Sequence, residues 1–189
     1  MTALVLTPAT PPSLYVGLLG PAWQALPPVV RRLHREGSAT GHFSIRRGQG
    51  PLVALVCWLC RMPPAGEGVP TRLEVRTSPE GQRWERTFGP HALATAQRAW
   101  APDLLAEQLG PVECVFRLRA GDQGLVYEQV GAWLRVGPWS LPLPRLFSPR
   151  IEAETLACEG GMRVHVRIRL ALVGPVLAYE GLVVPEEAP

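Results

Sequence analysis

Met162-Arg-Val-His-Val-Arg-Ile-Arg-Leu-Ala-Leu172 is the stretch on which the fold turns. Met162, Val164, Val166, Ile168, Leu170 and Leu172 fall on one side of an extended chain, and Arg163, His165, Arg167 and Arg169 on the other. Successive side chains of a strand point to opposite faces, so this spacing predicts a long strand with one buried and one wet face. Its neighbours carry matching patterns: Arg150–Cys158 before it and Val176–Val184 after it. With Gly160-Gly161 as a two-residue turn, Glu159 stands opposite Met162, Glu154 opposite Arg167 and Glu152 opposite Arg169. With Gly174-Pro175 as the next loop, Arg169 also faces Glu180, and Leu170 faces Tyr179. Upstream, Ala120 opposite Leu125 sets Arg117 across from Glu128 and Leu118 across from Tyr127. Opposite charges then meet on one face and apolar groups on the other, which is the signature of an antiparallel meander in register.

Outward from this core, Gly41–Arg47 reads as a strand, and Val69–Thr77 with Gln82–Phe88 as a hairpin about Ser78-Pro-Glu-Gly81. Ala92–Trp100 and Leu104–Leu109 read as weaker strands, because alanine is a poor strand former. Residues 1–12 form a Pro- and Thr-rich lead expected to be disordered, and residues 13–189 a single domain. Ser13 caps a short helix, and Gly20-Pro21 and Pro27-Pro28 punctuate two more helical turns, with Trp23 and Leu26 inward and Arg31, Arg32 and Arg35 outward. Gly48-Gln-Gly-Pro51 opens a helix from Leu52 to Met62 that is apolar all round, so it is expected to be buried on most sides or to rest on something greasy. The expected fold class is α+β: a large, curved, mostly antiparallel sheet of about eight to ten strands, with the N-terminal helices and the apolar helix packed on its concave face.

The chain is 47% apolar and 19% charged over 189 residues, enough to bury a substantial core in one domain. All 19 basic residues are arginine, and the net charge of +3 is too small to argue for nucleic acid. No positive n-region opens the chain, and the most apolar run is about half the ~20 residues a spanning helix needs. The expectation is a cytoplasmic protein that is not transmembrane, with its four cysteines reduced.

No chemistry is written in a motif. Cys57-Trp-Leu-Cys60 has metal and redox spacing, but no second ligand pair accompanies it, and it lies in an apolar helix, which favours buried free thiols. His34, His42, His91 and His165 are scattered, and no nucleophile elbow, phosphate loop or dinucleotide fingerprint is present. Glu152, Glu154 and Glu180 read as ion-pair partners before they read as an acid/base set. We therefore assign no catalytic residue, no metal ligand and no cofactor. The segment from Trp133 to Arg150 has the best claim to binding: two tryptophans for apolar contact, prolines to preset the chain, and Arg145 and Arg150 for a carboxylate or phosphate. Trp133, Trp139, Arg145, Arg150 and, from the apolar helix, Trp58 are the candidate ligand-binding residues.

Several of these segments resemble a known family. Leu14-Tyr15, Leu19-Gly20-Pro-Ala-Trp23, Val30-Arg-Arg-Leu-His34, Arg83-Trp84-Glu85-Arg86 and above all Trp139 to Glu154 are similar to a bacterial domain of unknown function, numbered 4166. The resemblance implies no reaction; it implies domains that occur alone or joined to a saccharopine-dehydrogenase-like reductase. The leading expectation is a non-enzymatic binding module for an apolar or lipid-like small molecule, with or without an acidic head. The alternative is an accessory domain working with a separate reductase and holding no ligand. A dry cavity above ~300 Å³ would favour the first, and a filled core the second.

Overall fold

A computed structural model describes residues 13–186; the expected disordered lead lies outside them. The chain begins with α1 (Leu14–Leu19), a 3₁₀ turn (Gly20–Ala25) and α2 (Pro28–Leu33). Then follow β1 (Gly37–Arg47), α3 (Pro51–Leu59), β2 (Gly66–Ser78), β3 (Gly81–Phe88), β4 (His91–Ala101), β5 (Leu104–Leu109) and β6 (Val112–Ala120). The rest is β7 (Gly124–Val136), β8 (Trp139–Pro142), β9 (Pro149–Cys158), β10 (Gly161–Leu170) and β11 (Gly174–Pro185).

The sheet is not open. Strands β1 to β7 pair in chain order, β7 pairs with β9, β9 to β11 pair in order, and β11 returns to β1. The result is a closed antiparallel barrel of ten strands, with β8 as a flap on β7. This corrects the expected curved sheet holding helices in its concavity. Closure pairs the edges that an open sheet would leave bare, and the space inside is lined by side chains rather than by helices. The helices take the two ends. α1, the 3₁₀ turn and α2 plug the end where β1 begins, burying Tyr15, Trp23, Leu26, Val30 and Leu33. α3 leaves the end of β1 at the opposite mouth.

As far as Leu170 the key stretch behaves as its pattern demands: Met162, Val164, Val166, Ile168 and Leu170 line the interior, but the strand ends there and Leu172, expected on the buried face, is exposed in the following loop. Register is another matter. The β9–β10 turn centres on Glu159-Gly160, with Cys158 opposite Gly161, so Glu154 faces His165 and Glu152 faces Arg167. The expected pairs are thus displaced by two residues, which keeps every side chain on its face but changes its partner. Gly160 rather than Gly161 takes the left-handed conformation, φ 80°, and that chooses the turn. Between β10 and β11 the displacement is larger: a bulge at Ile168/Arg169 and a loop ending at Gly174 put Glu180 opposite His165 and Tyr179 opposite Val166. The β6–β7 register is as expected, with Ala120 opposite Leu125, Arg117 opposite Glu128 and Leu118 opposite Tyr127. The two weak strands, β4 and β5, are both formed; the alanines of β4 face outward while Leu93, Thr95 and Gln97 face in.

β7 and β9 make ladder hydrogen bonds only from Gly124 to Glu128 and then part. The Gln129 side chain fills the gap. Its amide donates to the Pro149 carbonyl at 2.8 Å, and its carbonyl accepts from the Ile151 N–H at 2.8 Å. One side chain thereby supplies the pair of bonds that a strand residue would have made.

Candidate functional site: the barrel lumen

The interior is apolar over most of its wall and polar at mid-height. Phe43, Leu73, Phe88, Leu93, Phe116 and Val166 are among the residues that enclose a cavity of about 250 Å³. That volume lies just below the ~300 Å³ at which small-molecule sites usually begin. Arg86 projects into it from β3. Its guanidinium donates to Thr95 Oγ1 at 3.0 Å, stands 3.6 Å from Glu107 Oε1 and lies 5.3 Å from the centre of the Trp84 ring. Burial opposes its charge, but the Glu107 carboxylate and the dipoles of the Tyr179, Tyr15 and Tyr127 hydroxyls around it offset burial, and the guanidinium stays charged. A guanidinium has five N–H donors, and among the described residues only the bond to Thr95 engages one of them. The Thr155 hydroxyl, also on the cavity wall, is buried without a hydrogen-bond partner.

Beneath this layer the N-terminal plug is sealed by its own polar network. The Tyr15 hydroxyl lies 2.9 Å from the Gln97 side-chain amide and 3.0 Å from the Tyr127 hydroxyl. His34 is fully buried between Tyr15 and Trp84, ring centres 4.8 and 5.4 Å away. Burial pulls its pKa down to about 4, so the ring is neutral at physiological pH. A neutral ring has one N–H. Nδ1 gives it to the Val30 carbonyl at 2.7 Å, and Nε2 accepts from the Tyr127 hydroxyl at 3.0 Å. Burial raises the pKa of all three lumen tyrosines, which therefore keep their protons.

At the mouth, Val56 of α3 and Cys60 and Met62 after it line the cavity together with Leu143 and Phe147 of the β8–β9 connection. The C-terminal end of α3 is held at the opening: the Arg61 carbonyl lies 2.7 Å from His91 Nε2, and Leu59 passes close to Gly110. Its burial is not as expected. Only Val53 and Cys57 are buried among its nine residues, while Leu52, Leu55, Trp58 and Leu59 face outward. The helix rests on something greasy with one stripe and leaves the other bare. Cys57 and Cys60 are buried free thiols, as the sequence suggested; Cys114 is also buried and Cys158 half-buried. Burial raises Cys60 and pushes Cys114 up to about 12. Among the described residues no group of three or more His, Cys, Asp or Glu side chains is placed to hold a metal ion.

None of the five residues singled out from the sequence lines the lumen. Trp58 and Trp139 stand outside the mouth, 74% and 70% exposed. Arg145 and Arg150 border an open groove of about 800 Å³ on the outer side of the β7–β9 seam. Trp133 stacks on Trp100 on the outer wall, ring centres 4.8 Å apart, beside the Arg98–Glu113 ion pair at 2.7 Å. The groove and the lumen share Tyr127, Leu143, Pro149, Ile151, Ala153 and Glu154 as a common wall. Arg86 was legible only as part of an Arg-Trp-Glu-Arg run. Period-2 alternation with Trp84 and Phe88 would have turned it inward, an unusual place for arginine and hence a signal.

Among the described residues no helix is long and apolar enough to cross a membrane. A family model described as "Domain of unknown function (DUF4166)" matches residues 26–183. No curated protein and no solved structure matches the chain.

Proposed function

We propose that this chain, which belongs to the DUF4166 family of domains of unknown function, is a binding module that holds an apolar molecule with an acidic head inside its barrel. The observation that carries this reading is Arg86. A charged guanidinium in an apolar lumen, with its carboxylate partner as far as 3.6 Å away and donors to spare, is a receptor for an anion. The cavity's size suits one slender chain whose tail extends towards the mouth beneath α3. An accessory domain for a separate reductase would have no use for these donors.

The test is equilibrium binding of a fluorescent fatty acid and of its alcohol analogue. Arg86→Met paired with Glu107→Gln removes both charges together, so no lone buried charge is left to unfold the barrel. Saturable binding of the acid by native protein is expected, reduced about tenfold or more in the double variant, with the alcohol little changed. Arg145→Ala with Arg150→Ala, outside the lumen, should bind the acid as native protein does. Native protein that binds neither probe, or a double variant that binds the acid equally well, would remove the basis of the proposal. Native mass spectrometry of purified protein for a co-purified molecule addresses the ligand directly.

A further inference from the structure

Large exposed apolar side chains are not scattered over this barrel. Of the fourteen among the described residues, ten sit on the segments at the α3 end, and only Val126, Val130, Leu182 and Val184 lie elsewhere, on the strand walls. They come from three separate places in the chain: Leu55 and Trp58 on α3, Trp139 and Phe147 around β8, and Leu172, 63% exposed, in the β10–β11 loop. A patch assembled from three segments about one opening is a surface rather than an accident of one segment's composition.

The same end is basic. Arg46, Arg61, Arg145, Arg150 and Arg169 are exposed there, and among the described residues none has a carboxylate within ion-pair distance. Arg150 and Arg169 stand directly opposite each other across β9 and β10, where like charges repel. Two exposed carboxylates stand near this end, Glu67, which accepts from the Ser44 hydroxyl, and Glu152, opposite Arg167, and the five arginines outnumber them; Glu113 is buried against Arg98. Arg61 adds a backbone argument. It ends α3 in the left-handed conformation, φ 50°, with Arg61 N–H bonded to the Trp58 carbonyl and Met62 N–H to the Cys57 carbonyl. Glycine fills that position of a helix end without strain; here an arginine occupies it and puts a cation on the rim.

We infer that the α3 end of the barrel docks on an anionic lipid bilayer, with α3 and the β8–β9 connection in the interfacial layer and the rim arginines on lipid phosphates. Amphipathic tryptophan favours that depth, and arginine beside it gains from the negative surface. The barrel would lie on the membrane, not across it. Its wall carries Arg72, Glu74, Arg76, Arg83, Arg163 and Arg167, where a spanning barrel would have an apolar band. Docking puts the lumen's mouth against lipid. The lumen reading gives the docking its use, but the docking itself rests on the rim alone.

Flotation of the full chain with phosphatidylcholine vesicles, with and without phosphatidylglycerol, tests it. Native protein should float with the anionic vesicles, less as salt rises, and hardly at all with phosphatidylcholine alone. Leu55→Ser with Trp58→Ser should abolish flotation, and Arg150→Ala with Arg169→Ala should weaken it by about thirtyfold. Leu182→Ser with Val184→Ser, on the wall, should float like native protein, as should the Arg86→Met, Glu107→Gln lumen variant. All these changes except the lumen pair are at exposed positions, and unchanged melting would show the fold intact. No flotation of native protein, or equal flotation of the rim variants, overturns the inference. So does a dimer that Trp58→Ser dissociates, since a second copy would then be what covers the rim. Loss of fatty-acid binding with flotation intact would count against the lumen proposal only.

Discussion

The Gln129 side chain holds Ile151 as a neighbouring strand would: its carbonyl accepts the Ile151 N–H at 2.8 Å while its amide reaches the Pro149 carbonyl at the same distance. The barrel wall at this point is one side chain thick. Gln129→Leu keeps the bulk and removes both bonds, leaving two main-chain groups to water or to nothing. We expect a loss of about 2 kcal/mol in stability, measured by urea unfolding, and faster amide exchange at Ile151 than in the rest of β9. Unchanged exchange there would mean that the seam is closed by packing alone.

His34 makes stability depend on acid. Its pKa is about 4 in the folded barrel and ~6.5 in an unfolded chain, so below pH 6.5 the unfolded state takes up a proton that the native state refuses. The contribution is complete above pH ~6.5 and is lost as pH falls towards 4, to the extent of about 3 kcal/mol. Melting temperature followed between these limits should fall with acid in native protein. In His34→Gln the starting stability should be lower and this part of the slope absent. A slope the same in both proteins would place the sensitivity elsewhere.

The thiols should react in a set order. Half-buried Cys158 should label first with a thiol reagent, while Cys57, Cys60 and Cys114 wait for unfolding, because they are buried and burial keeps Cys60 and Cys114 protonated. Mass spectrometry of partly labelled protein reads the order. Early modification of Cys60 would mean that α3 lifts from the mouth under native conditions.

Glu113 should matter more than an ordinary surface acid. It is 1% exposed and held by Arg98 at 2.7 Å, under the Trp100–Trp133 stack. Glu113→Gln leaves Arg98 and Arg135, whose guanidinium lies 3.7 Å from Glu113 Oε2, facing a neutral amide and should cost about 2 kcal/mol in chemical denaturation. Glu128→Gln, on the exposed pair with Arg119, should cost less than ~0.5 kcal/mol.

Which faces of the strands are wet was legible in the chain's alternation. Met162 to Leu170 alternate inward as their spacing requires, and the β6–β7 register follows from Arg117 and Glu128, because alternation and short turns are local properties of the chain. The sequence did not determine the β9–β10 register, since a slip of two leaves every side chain on its face and exchanges one charged partner for another; the left-handed Gly160 chose between them. Closure was also beyond it. Only tertiary structure could bring Phe43 on β1 opposite Gly181 on β11, a pairing of distant strands that no local pattern announces. Once the sheet closes, the expected helix-filled concavity becomes a lumen, and the apolar helix moves to its mouth. Arg86 then becomes the cation inside, while Arg150 faces outward from β9, and Trp58 on α3 and Arg145 on the β8–β9 connection stand outside the mouth.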